Sequence, residues 1–61
     1  MRFPVAVYRF EYFDRAIGRV LTADDFATEP AIREMGGTSL LATARMVDAS
    51  LISRAGILKR G

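Results

Sequence analysis

Arg9, Arg19 and Arg45 are the residues with the most chemistry to offer in this chain of 61 residues. A guanidinium group is a planar fork of donors that fits phosphate and carboxylate oxygens two at a time. Eight of the nine cations are Arg, and Lys59 is the only Lys. The net charge is +2, with a pI near 9.7. That balance falls short of the dense basic patch of a committed nucleic-acid binder. It suits a sparser device, in which Arg9, Arg19 and Arg45 share one open sheet face and track phosphates. β-ribbon and β-sheet proteins enter DNA grooves in this way. Arg15 at a hairpin tip, and Lys59 and Arg60 in a basic tail, would add contacts. The competing reading is plain surface decoration, with Arg9 paired to Glu11 or another acid.

Other chemistries find little to work with. The chain has no His and no Cys, so the usual base, proton shuttle, thiolate nucleophile and zinc ligands are missing together. Asp24 and Asp25 are adjacent, and their side chains diverge on either a strand or a helix. They read as turn and capping residues. Ser39, Ser50 and Ser53 have no visible activating base. "GGTS" at 36–39 lacks the Lys and the Gly spacing of a phosphate loop. The expectation is a protein that is not an enzyme, with no cofactor and no metal site.

These arginines must be positioned by very few elements. Residues 3–13, "FPVAVYRFEYF", alternate with period two and carry aromatic and β-branched side chains, which predicts a strand. Ala6, Tyr8, Phe10 and Tyr12 fall on one face, with Val5, Val7, Arg9 and Glu11 on the other. "DRAIG" supplies a turn through Asp14 and Gly18, and "RVLT" returns as a second strand. The expected register sets Tyr12 against Val20 and Phe10 against Thr22. Thr28 is the best helix cap downstream, because Pro30 then stands in the first turn, where its missing N–H does no harm. Gly36 and Gly37 stop that helix. The last third reads two ways. As a helix, Leu40, Ala44, Val47, Leu51, Ala55 and Leu58 form one stripe. As a strand, Leu40, Ala42, Ala44 and Met46 face inward and Arg45 faces out.

Size bears on the partner. A chain this short buries only about 60% of its unfolded surface, and without Cys or metal ligands the remaining staple is a second chain. With 51% apolar residues, an intertwined homodimer is expected, its core built from Tyr8, Phe10, Tyr12, Val20, Ile32 and Leu40. If the rings turned outward instead, they could stack unpaired bases. Val5, Val7, Leu21 and Leu41, opposite the rings, could form an apolar patch for another protein. No apolar run approaches the roughly 20 residues of a membrane span. Met1-Arg2 leads straight into the alternating segment without a signal-peptide core, so a cytoplasmic location is expected.

"YRFEYFD", a turn at Gly18, "ATEPAI", "GG" and a closing "VDAS" resemble the pattern of a loose group of short proteobacterial proteins carried on plasmids and prophages. The likeness covers most of the chain and extends to a small dimeric Xanthomonas-type protein proposed to bind DNA. It implies a strand–strand–helix–strand order and favours a strand over 40–48. The resulting expectation is one α+β domain over 1–61. Its parts are a hairpin at 3–22, a helix at 28–36, a strand at 40–48 and an irregular tail at 53–61. The function expected is regulatory binding of double-stranded DNA as a homodimer. The alternative function is that of an adaptor or inhibitor of another protein. The alternative fold is ribbon-helix-helix-like, with residues 39–52 helical.

Overall fold

The computed structural model describes residues 3–59. Strands and one short helix make an α+β fold. The elements are β1 (Pro4–Val7), β2 (Phe10–Asp14), β3 (Arg19–Thr22), α1 (Glu29–Glu34), β4 (Thr38–Ser39) and β5 (Arg45–Asp48). Two 3-10 turns, Leu41–Thr43 and Ala49–Leu51, flank β5. β1 pairs with β5 in a two-stranded antiparallel sheet, and a second sheet has the order β3–β2–β4. Five strands thus replace the three expected, and residues 39–52 hold no α-helix.

The segment expected as one strand over 3–13 is two strands that use different partners. β1 ends at Val7 and β2 begins at Phe10. Between them, Tyr8 exchanges both backbone hydrogen bonds with Ala27, at 2.8 and 2.9 Å. Arg9 donates its N–H to the Thr43 hydroxyl at 2.9 Å, and its carbonyl accepts from Leu40 N–H, also at 2.9 Å. Burial shows why the break is needed. Val7 is fully buried and Phe10 is nearly so, yet they stand an odd number of residues apart. One pleated strand would send them to opposite faces. Interrupting the pleat lets both reach the core, so Val7 does not lie on an outer face as expected.

The hairpin forms with a different register. Its loop is closed by Gly18 N–H to Asp14 carbonyl at 2.8 Å, and the Asp14 carboxylate accepts from Ala16 N–H at 2.8 Å. Asp14 then stands opposite Arg19, which sets Phe13 against Val20, Tyr12 against Leu21 and Glu11 against Thr22. Against the expected pairing this is a slip of one residue, and such a slip exchanges the faces of a strand. Val20 leaves the core and is 62% exposed.

Helix α1 is set by local chemistry. Thr28 is the N-cap and its hydroxyl accepts from Ala31 N–H at 3.4 Å, with Pro30 in the first turn. Glu29 and Arg33 pair one turn apart at 2.7 Å, worth about 0.3–0.5 kcal/mol on an exposed face. Gly36 N–H donates to Arg33 carbonyl and Gly37 N–H to Ile32 carbonyl, the double bond of a glycine-terminated helix end. Ile32 is the one buried side chain of α1. With Phe10 and Ala27 it forms a cluster on which Tyr8, Tyr12, Ala23, Ala31 and Ile57 pack.

Ile57 brings the tail into that core, through turns and isolated bridges over residues 53–58 and no further helix or strand. Ile57 bridges Ala27, Leu58 N–H donates to Phe26 carbonyl, and Thr28 N–H donates to Gly56 carbonyl. Gly56 lies under the helix start with φ +82°, and a Cβ there would stand 2.5 Å from Ala31 Cβ and 2.9 Å from Thr28 Oγ1. Gly18 has φ +65° but open space around it. Gly18→Ala should therefore cost about 1–2 kcal/mol for the left-handed backbone alone. Gly56→Ala should cost clearly more, from the same strain plus the clash with α1. Urea unfolding of the two variants checks the order, and equal midpoints would contradict this packing.

Candidate interaction surface on the hairpin

The sheet positions scatter the arginines that the sequence pattern groups. Arg9 stands at the joint between β1 and β2, Arg19 begins β3, and Arg45 begins β5 of the other sheet. No single sheet face carries all three. Arg9 reaches Asp24 at 3.9 Å, and its Nε is buried without a partner. That side chain is buried at its Nε yet still 42% exposed. Arg45 pairs across the strands with Val7, and Met46 with Ala6. Arg45 is exposed, and Met46, expected to face inward, is also exposed, at 64%. The Arg45 guanidinium carbon lies 5.3 Å from the centre of the Phe26 ring, within cation–π range.

Arg15 and Arg19 remain as exposed cations of the hairpin, in the loop and at the start of β3. Neither enters an ion pair among the described residues. Lys59 is exposed, with its N–H bonded to Leu51 carbonyl. Arg60 lies outside the described residues. Of the expected shared core, Phe10 and Ile32 are buried. Tyr8 and Tyr12 pack against them, and Leu40 is half-buried before the 3-10 turn. Of the apolar patch expected from Val5, Val7, Leu21 and Leu41, Leu41 is 67% exposed on that turn, whereas Val7 is fully buried.

A feature that the sequence pattern did not single out is the outer face of the hairpin. Phe13 and Val20 are cross-strand partners and are 56% and 62% exposed. Ile17 in the loop is 54% exposed. Three large apolar side chains thus stand in water on one small element. The signal was present in "EYFD": Tyr12 and Phe13 are consecutive, so a strand must turn one ring away from the other. Beside the hairpin lies a cleft of about 440 Å³. Phe10, Tyr12, Met35 and Ile57 line its apolar side, and Asp24 and Asp25 its polar side.

The radius of gyration, 11.9 Å, exceeds the about 10.5 Å of a compact chain of this length. Only Val7, Phe10, Ala27 and Ile32 are buried apolar residues among those described. Among the same residues no group of three His, Cys, Asp or Glu is placed to hold a metal ion, and no helix is long and apolar enough to cross a membrane. Replacing Arg45 by Gln should remove about 0.5–1 kcal/mol of stability through the lost Phe26 contact. Arg15→Gln should leave the urea midpoint unchanged, since Arg15 is exposed and enters no ion pair among the described residues. No protein-family model, no curated protein and no solved structure matches this chain.

Proposed function

We propose that this protein acts by binding, as a small protein-interaction module that presents the β2–β3 hairpin to a protein partner. The observation that carries this reading is the exposure of Phe13, Ile17 and Val20 together on that hairpin. Exposed apolar side chains grouped on one element, rather than scattered singly, mark interaction sites. A regulatory role as adaptor or inhibitor fits such a chain.

DNA binding is the second reading, and one observation favours it. Arg15 and Arg19 flank Ile17 at the hairpin tip, both exposed and outside any ion pair among the described residues. Cations beside an apolar wedge suit a ribbon that enters a groove. It differs from the surface expected from the sequence, since Arg9 and Arg45 are engaged elsewhere.

The two readings part on salt and on side chain. A photo-crosslinking amino acid in place of Phe13 should capture a protein partner, and Val20→Asp should abolish the capture. A random-sequence duplex followed by fluorescence anisotropy tests the other. Four guanidinium groups from two copies would lose about a hundredfold in affinity between roughly 50 and 200 mM salt. Arg15→Gln would flatten that dependence. Capture with no duplex binding supports the interaction module. Steep salt-dependent binding that survives Val20→Asp supports DNA instead.

A further inference from the structure

Strand β3 has β2 on one side, and no described segment pairs with its other edge. The phase of its hydrogen bonds decides what that edge offers. Ala23 N–H donates to Phe10 carbonyl at 2.8 Å. Antiparallel partners alternate between bonded and unbonded pairs. Tyr12–Leu21 and Asp14–Arg19 are therefore of the bonded kind, whereas Glu11–Thr22 and Phe13–Val20 are not. The N–H and C=O groups of Val20 and Thr22 consequently point outward, away from β2.

We propose that this edge pairs antiparallel with β3 of a second copy, about a two-fold axis at Leu21, so that two three-stranded sheets become one continuous sheet. The proposal rests on the reading of the hairpin as an interaction element and names its partner. Three features of β3 make it complementary to itself.

The first is hydrogen bonding. In this register Val20 of each copy stands opposite Thr22 of the other, and all the outward groups of both residues are satisfied. An axis at Val20 would instead set Thr22 against Gly18, whose N–H is already taken by Asp14 carbonyl.

The second is charge. Arg19 opens β3, and Asp24 follows its end with a side chain 88% exposed. Antiparallel pairing lays the basic end of one strand beside the acidic end of the other, twice.

The third is apolar contact. Leu21 meets Leu21 of the second copy directly, flanked on each side by Tyr12, its partner within the chain. On the opposite face Val20 of each copy gains neighbours beside Phe13.

The chain has no Cys, so single thiols report the register cleanly. Facing residues of an unbonded antiparallel pair have Cα atoms about 4.5 Å apart, within disulfide range. With oxidised glutathione, Leu21→Cys should yield a covalent dimer and Val20→Cys far less. Native mass spectrometry of the unaltered chain should show a species of twice the 6.8 kDa chain mass. Val20→Pro should raise the dimer dissociation constant about ten- to a hundredfold through its lost donors. Its circular dichroism should be unchanged, since the missing N–H faces away from β2. If that variant unfolds, the two cysteine variants decide the question alone. A monomer at every concentration, a dimer indifferent to a folded Val20→Pro, or crosslinking through Val20→Cys in preference to Leu21→Cys overturns the proposal. A monomer whose Phe13 crosslinker still captures another protein would overturn only this pairing and leave the interaction module standing.

Discussion

The change of pairing partner at Tyr8 and Arg9 is the constraint on which the rest of the structure depends. One extended stretch serves two sheets, and it does so because its polar backbone finds new partners within two residues. Tyr8 is satisfied by Ala27, while Arg9 is satisfied by Thr43 and Leu40. Buried main-chain groups left unpaired would each cost about 1–3 kcal/mol. The Thr43 hydroxyl is central to this arrangement. It accepts from Arg9 N–H and donates to Leu40 carbonyl at 2.6 Å, so one side chain links the joint to the 3-10 turn before β5. From the joint follow the burial of both Val7 and Phe10, the separation of the two sheets and the dispersal of the arginines.

The apolar content of the chain explains why the surface looks as it does. Two sheets and a helix of six residues enclose little volume, and few side chains can be removed fully from water. Of the eight large apolar side chains exposed among the described residues, three, Phe13, Ile17 and Val20, stand on the β2–β3 hairpin, and Phe3, Met35, Leu41, Met46 and Leu51 are exposed elsewhere. Small domains without disulfides or metals commonly hold such surplus against a partner. The open edge of β3 lies beside the richest part of it.

Legibility from sequence follows the distance over which each feature is decided. Helix α1 is governed by Thr28, Pro30, Gly36 and Gly37, all within or beside it, and its place could be read directly. The loop residues Asp14 and Gly18 announced a hairpin for the same reason. Its register depended on how many residues the loop would take, and an error of one carried Val20 from core to solvent. The partner change at Tyr8 depends on Ala27 and Thr43, far along the chain, and nothing in "AVYRF" signals it. Met46 was assigned to the inner face because alternation was counted from Leu40. The 3-10 turn Leu41–Thr43 interrupts that count before β5 begins. For the candidate site, residue type was legible and placement was not. The arginines were visible, but which would remain free was fixed by Asp24 and Phe26 from another part of the chain.

Ala27 is hydrogen-bonded to Tyr8 on one side and bridged to Ile57 on the other, so the middle of the chain stands between its two far portions. Few of the contacts that complete the core are local, and closing long loops before any reward arrives slows folding. During synthesis the consequence is temporal. The hairpin can form as soon as Thr22 has emerged, but Ala27 and the start of α1 stay uncovered until Gly56 to Leu58 have left the ribosome. For that interval the nascent chain carries a formed ribbon with an open edge and no finished core. Such a chain is most prone to engage a neighbour, whether a chaperone or a sister chain on the same message, before it has become a folded protein.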